Sequence, residues 1–233
     1  MSSRVPRTDA PLRRHTLVTL TPAGWAALFA RDAVLAADAH VRRWAECGWP
    51  LIVRRALPGE SGESAESGVF RVPLGIPLPP SAGKRRVAVS VDADALASAG
   101  APPAFAAVLD AAPAAWRQPL RELDALGTRC GVAGRVFGSL AWQALTGERY
   151  LTDSSDLDIV FPLPDPVHTR TLLDGLAAID ARAPMRVDGE LLRDDGAGAN
   201  WRELHAQLPE VAVKTAGGVV LSPPAAFLAG EVR

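Results

Sequence analysis

Lysine is nearly missing from this chain of 233 residues: it stands only at 84 and 214, although Lys and Arg together number 25. With the surplus of Ala and Pro, this suggests a GC-rich genome that drifts Lys to Arg wherever either will serve. A lysine kept against that drift is either a chance survivor or a place where a compact ammonium and a planar guanidinium are not equivalent, as at a phosphate. Cysteine is as scarce. Cys47 and Cys130 are isolated, which excludes a disulfide framework and a cysteine metal pair, and a reducing, cytoplasmic setting is the expectation. No apolar run approaches the ~20 residues that span a bilayer. The first residues hold no apolar signal core, so neither membrane insertion nor secretion is expected. A formal net charge of −1 gives no general pull toward nucleic acid or anionic membrane. The four histidines, at 15, 40, 168 and 205, fall in no metal-ligand spacing.

What is present supports a core. Hydrophobic residues make up 48% of the chain, enough to bury against the entropy of folding, and the length suits one large domain or two small ones. Thr21-Pro22 reads as a capped helix start, with Trp25, Leu28 and Phe29 on the buried face. Asp32 reads as the cap of a second helix running to Cys47 and ended by Gly48. Leu51–Val53 is a strand. Residues 59–68 rotate Ser, Gly and Glu and read as an exposed loop. Val69–Leu74 is a candidate partner strand. The stretch from Pro73 to Gly83 is too rich in proline for a central strand. Lys84-Arg85-Arg86 reads first as a solvated strand end, and second as a contact for an anionic substrate. Val87–Val91 is a strand.

Residues 95–127 are Ala-rich and broken by prolines into short helices, the last near 120–126 and stopped by Gly127. Val132–Phe137 then reads as a strand feeding Gly138-Ser139, and a helix runs over 167–181. Strands follow over 185–192, 199–204, 211–213 and 219–221, with a turn at Asp194-Asp195-Gly196.

The stretch from Gly138 to Phe161 organises the rest. A glycine turn opens a short helix whose face is Leu140, Ala141, Ala144 and Leu145, and Gly147 is placed to end it in a left-handed cap. Beyond it, alternation points Leu157, Ile159 and Phe161 into a core and sets Asp156 and Asp158 together on the opposite face. Two neighbouring carboxylates repel and raise each other's pKa. A divalent cation with a taste for hard oxygen, such as Mg²⁺, removes the conflict. The Gly138-Ser139 turn offers N–H groups and a hydroxyl to a phosphate. Together these are the parts of metal-assisted phosphoryl or nucleotidyl transfer.

Gly138-Ser139 followed by Asp156-Leu157-Asp158-Ile159 resembles the signature of the nucleotidyltransferase superfamily that includes DNA polymerase β, with a longer gap between the halves than is usual. The full run from Gly138 to Gly147 and from Ser154 to Ile159 is similar to one branch, the malonate decarboxylase holo-acyl-carrier-protein synthases, or phosphoribosyl-dephospho-CoA transferases. Arg13-Arg14-His15, Asp188-Gly189-Glu190, Trp201–Leu204 and Val213-Lys214-Thr215 extend the likeness over most of the chain. The resemblance implies an α/β fold: a nucleotidyltransferase-like mixed sheet flanked by helices, at 83–222, behind a smaller N-terminal α+β domain at 12–82.

It also implies a reaction. The donor is 2′-(5″-triphosphoribosyl)-3′-dephospho-CoA, the acceptor a serine of the malonate decarboxylase acyl-carrier protein, and pyrophosphate leaves. Mg²⁺ is held by Asp156 and Asp158 with a third acid from the later strand, Asp188 first and Glu190 second. Gly138 and Ser139 hold the triphosphate. Lys214, on the argument from its retention and not from the resemblance, is the candidate to bridge the triphosphate oxygens as a point charge. The residues at 201 and 202 have two readings: Trp201 and Arg202 offer an aromatic face and a guanidinium to a base or phosphate, or they are a packed Trp and a surface Arg. The alternative is an enzyme of the same fold using an ordinary nucleotide on a small molecule or another protein.

Overall fold

A computed structural model describes residues 12–56, 71–215 and 217–231, so the loop expected at 59–68 lies outside the described residues. The chain divides into two units, Met1–Ala101 and Pro102–Arg233.

The first unit carries β1 (Leu17–Leu20), α1 (Pro22–Arg31), α2 (Ala33–Ala37), α3 (Ala39–Glu46), β2 (Leu51–Val53), β3 (Arg71–Pro77), β4 (Arg86–Asp92) and β5 (Leu96–Gly100). The sheet order is β4-β3-β2-β1-β5, and every pair is antiparallel. The Thr21 hydroxyl accepts from Gly24 N at 2.9 Å and starts α1 as its sequence implies. Asp32 caps α2 through Leu35 N. The single helix expected from Asp32 to Cys47 is broken by a second cap: the Asp38 carboxylate accepts from His40 N and Val41 N and begins α3. Val41 and Trp44 then bury almost completely.

Two expectations need correction here. The proline-rich β3 is an internal strand, paired along its whole length with β4 and briefly with β2. Pro73 O accepts from Arg54 N, on the β2 side. A strand residue's N and O point the same way, so the missing N–H groups of Pro73 and Pro77 face β2 just where its three residues have run out. The bonds to β4 come from Val72, Leu74 and Ile76, which are intact donors. The second correction follows from the first. With β4 and β5 in this sheet, the units divide at Ala101/Pro102 and not at the 82/83 boundary read from the sequence.

The second unit carries α4 (Arg117–Arg129), β6 (Arg135–Val136), α5 (Gly138–Thr146), β7 (Leu157–Pro162), α6 (Pro166–Asp180), β8 (Val187–Leu192), β9 (Gly198–Asn200), α7 (Trp201–His205), β10 (Val211–Lys214), β11 (Val219–Ser222) and α8 (Pro224–Ala229). The sheet runs β11-β10-β9-β8-β7-β6, mixed, with β7 and β8 parallel and α6 between them in sequence. Leu157, Ile159 and Phe161 are 0–1% exposed, as their alternation requires. With Val187, Leu191, Val211 and Val213 they pack on Leu120, Leu123 and Leu126 of α4 and Leu172 and Leu176 of α6. Each such side chain contributes about 1.5–3 kcal/mol by leaving water.

The helix expected to stop at Gly127 continues through it to Arg129. The strand expected over 132–137 shrinks to β6, and the one over 199–204 is β9 followed by α7. Among the described residues no helix is long and apolar enough to cross a membrane.

Candidate active site

The parallel ladder of β7 and β8 sets Asp158 directly opposite Asp188. Partners opposite one another share a face of the sheet, so both carboxylates stand on the face turned away from the aliphatic core. Asp156 lies one residue before β7, where Leu157 N already bonds Arg186 O at 2.9 Å. It is half-buried, and its carboxylate makes no hydrogen bond or ion pair to a described residue.

The helix start closes over Asp158. Phe137 N donates to Asp158 O at 3.0 Å, and the next residue, Gly138, has φ +65°. A Cβ built on Gly138 would sit 1.8 Å from Asp158 Oδ2 and 2.6 Å from its Cγ. The glycine is therefore required twice, by the left-handed turn and by the carboxylate lying against it. No side chain caps the helix at Phe137. The first-turn N–H groups and the half-buried Ser139 are thus placed beside the acid pair at the positive end of a nine-residue helix. At the other end Gly147 takes φ +73° and caps the helix through Gln143 O, as its place in the sequence implies.

Asp188 is held firmly. Its Oδ1 accepts from Gly189 N and from Asn200 Nδ2, both at 2.9 Å. Glu190, the other candidate third acid, is 5% exposed and takes the Lys214 ammonium at 2.6 Å from Oε1. Lys214 is thus on the acid face, reached through Glu190↔Asn200 and Gly198↔Lys214 pairing, and its charge is matched by a buried carboxylate.

Arg202 does not join this group. Its Nη2 bonds Asp180 Oδ1 at 2.5 Å and Val187 O at 2.9 Å, fastening α7 to the end of α6. Trp201 is 2% exposed, donates to Val187 O and carries the Arg202 guanidinium 4.6 Å from its ring centre. Trp201 is too buried to offer an open face to a base, and the guanidinium of Arg202, 31% exposed, is engaged through Nη2 in fastening α7.

Sequence reasoning missed Asn200. Its Oδ1 accepts from Arg202 N at 2.8 Å and caps α7. An Asn with Glu three residues on, at 203, is a helix-start signal, and weighing it would have replaced the expected strand by a helix.

Among the described residues no three His, Cys, Asp or Glu side chains are gathered into a ready-made metal cage. A cleft of about 570 Å³ opens at the far end of α5, lined by Asp110, Gln143, Arg149, Thr152 and Asp153 among others, and by none of Asp156, Asp158 and Asp188. Gln143 ties its walls together: Nε2 donates to Ala111 O, and Oε1 accepts from Tyr150 N and Leu151 N. Burial raises the pKa of Tyr150.

A glycine-opened helix laid on the first of two acid-bearing strands, in a mixed sheet backed by helices, defines a nucleotidyltransferase-like unit. Residues 103–225 match the phosphoribosyl-dephospho-CoA transferase MdcG C-terminal domain, and residues 13–102 match its N-terminal domain. The chain belongs to the phosphoribosyl-dephospho-CoA transferase family. It is 45% identical over 230 residues to the phosphoribosyl-dephospho-CoA transferase of Bradyrhizobium diazoefficiens, covering 99% of this chain and 98% of that one. It is 36% identical to the same-named protein of Xanthomonas euvesicatoria pv. vesicatoria, over 92% of this chain and 95% of the other. For that of Pseudomonas fluorescens the identity is 30%, over 89% and 91%. No solved structure matches the chain.

Proposed function

We propose that this chain transfers the phosphoribosyl-dephospho-CoA group from 2′-(5″-triphosphoribosyl)-3′-dephospho-CoA to a serine on the acyl-carrier protein of malonate decarboxylase. The serine oxygen bonds to the α-phosphorus, the bond from that phosphorus to pyrophosphate breaks, and the hydroxyl proton is lost. A phosphodiester-linked prosthetic group remains. The reaction is placed in the cytoplasm, a setting consistent with the free thiol of the exposed Cys47.

The observation that carries this reading is the Asp158–Asp188 register under Gly138. A carboxylate pair on rigid strands, next to an uncapped helix start, suits a polyphosphate with its counter-ion. Asp156, Asp158 and Asp188 present the hard oxygen donors that fit Mg²⁺, and they are the residues that would hold it. When bound, such an ion neutralises the departing pyrophosphate and acidifies the attacking hydroxyl. Gly138 and Ser139 receive the triphosphate by backbone N–H and hydroxyl. Lys214, fixed on the same face by Glu190, supplies the cation. Arg202 has a structural task and is dropped from the substrate contacts.

The test is incubation with the apo carrier and the triphosphoribosyl donor, read by intact mass. A gain equal to the prosthetic group is expected with the native chain and is lost in folded Asp158→Ala. A carrier left unmodified by the native chain, or modified from an ordinary nucleotide instead, overturns the proposal.

A further inference from the structure

We infer that Asn200 is the positioning residue of the third carboxylate, and that one side chain thereby serves both the acid face and the start of α7. The inference rests on the reading of Asp188 as a ligand-bearing acid.

A carboxylate's χ2 is a broad torsion, so an aspartate on a strand does not fix its own oxygens. Asp188 is fixed by two donors, and both fall on one oxygen: Gly189 N and Asn200 Nδ2 bond Oδ1. Oδ2 accepts nothing from a described residue and is left for a ligand. The Gly189 bond comes from the adjacent backbone, at a position that must itself be glycine: φ is +157°, and a Cβ there would sit 2.0 Å from Ile159 O. Asn200 is the part of the arrangement that another strand supplies.

The orientation of the Asn200 amide is itself determined. Its Oδ1 faces the N–H of Arg202 at 2.8 Å, and its Nδ2 faces the Asp188 carboxylate. A flipped amide would set donor against donor at one end and acceptor against acceptor at the other. The cap therefore locks the amide, and the amide locks the acid. Asp cannot replace Asn here, because it has no donor for Asp188. Ser keeps an acceptor for the cap, but its single short hydroxyl does not span to Asp188 as well.

That difference supplies the experiment, in the full chain. Asn200→Ser, Asn200→Ala and Asp188→Asn are compared with the native protein by Mn²⁺ affinity from electron paramagnetic resonance, by kcat and KM for the carrier, and by thermal midpoint. Outer partners of metal-binding carboxylates are worth roughly 10–100-fold in affinity or activity. Asn200→Ser is expected to hold the native midpoint, weaken Mn²⁺ about tenfold, lower kcat by a similar factor and leave the carrier KM unchanged. Asn200→Ala is expected to show the same losses and a lower midpoint. If Asn200→Ser keeps native Mn²⁺ affinity and kcat while Asp188→Asn loses both, the inference is overturned and the reading of Asp188 stands. If Asn200→Ser loses activity only in step with a fall in midpoint equal to that of Asn200→Ala, the residue is merely a cap and the inference is overturned. If Asp188→Asn keeps both properties, the reading of Asp188 falls and takes the inference with it.

Discussion

Replacing Gly138 by alanine tests the centre of the site with one methyl group. Two costs arise, and they separate. Holding an L-residue at φ +65° costs about 1–2 kcal/mol. For a chain of this size each kcal/mol lowers the thermal midpoint by roughly 2–4 °C. The second cost is local. The new Cβ would lie 1.8 Å from Asp158 Oδ2, so the carboxylate or the helix start must move by roughly 1.5–2 Å to restore ordinary contact. A misplacement of about 1 Å at a reacting centre costs on the order of 10²-fold. Gly138→Ala should therefore retain its fold, melt a few degrees lower and lose at least about 100-fold in carrier modification. Gly147→Ala is the control. Its φ is +73°, yet nothing stands within 4 Å of its Cβ, so it should carry similar strain and keep its activity. Carrier modification would be followed by intact mass against time, beside thermal melts. If Gly138→Ala works within a few-fold of native, or if both variants lose activity alike, the contact between Gly138 and Asp158 is not what the site depends on.

Other outcomes follow from the charged residues. Arg202→Ala removes the bonds to Asp180 and Val187 O; it should destabilise the chain by about 2–3 kcal/mol, seen in denaturant unfolding, with turnover per folded molecule near native. Lys214→Met removes the ammonium bonded to the buried Glu190 carboxylate and should lower stability by about 2–3 kcal/mol. Adding Glu190→Gln should restore the melt but not the transfer rate, whereas recovery of both would strike Lys214 from the phosphate contacts. The Arg85 guanidinium donates to Asp38 and holds its carboxyl below its ordinary value of 3.8. A depressed folded pKa gives stability that is present above the unfolded value and is lost as pH falls through the folded one. Acid titration of stability should therefore steepen below about pH 3.8, and Asp38→Asn should flatten that part of the curve.

The parts legible in the sequence were those governed by local rules. Alternation placed Leu157, Ile159 and Phe161 inward and Asp158 outward, because a strand buried on one face has few other solutions. Thr21-Pro22, Asp32 and Gly147 announced their caps for the same reason. The second cap at Asp38 was hidden by an apolar pattern that continues past it. The loss of the strand at 199–204 has the same character: Trp201 and Leu204 bury together at helical spacing, and Asn200 carried the signal that decides between helix and strand. What the sequence could not show were partnerships across long separations. Glu190 claims Lys214 from 24 residues away, and Asp180 claims Arg202 from 22. For Arg202 the carboxylate partner reveals a structural task, whereas Lys214 keeps its place on the acid face with its partner beside it. The boundary at 82/83 cut β4 and β5 off from a sheet whose pairings are themselves long-range, β4 with β3 and β5 with β1.

The prolines of β3 bear on how that sheet finds its alignment. A three-residue strand lying along a seven-residue neighbour has several places to rest. Sliding β2 toward either end would set its bonding residues against Pro73 or Pro77, and at each the exchange of two bonds drops to one at most. In the observed alignment it is Pro50 that falls opposite Pro77, a position where neither bond could form in any case. The two rings act as stops on a slide rule: they add nothing to the pairing that exists, yet they make its neighbours poor. The alignment is chosen by what is withheld, and a change of both to alanine would be expected to leave the native pairing intact while opening shifted ones to the chain as it folds.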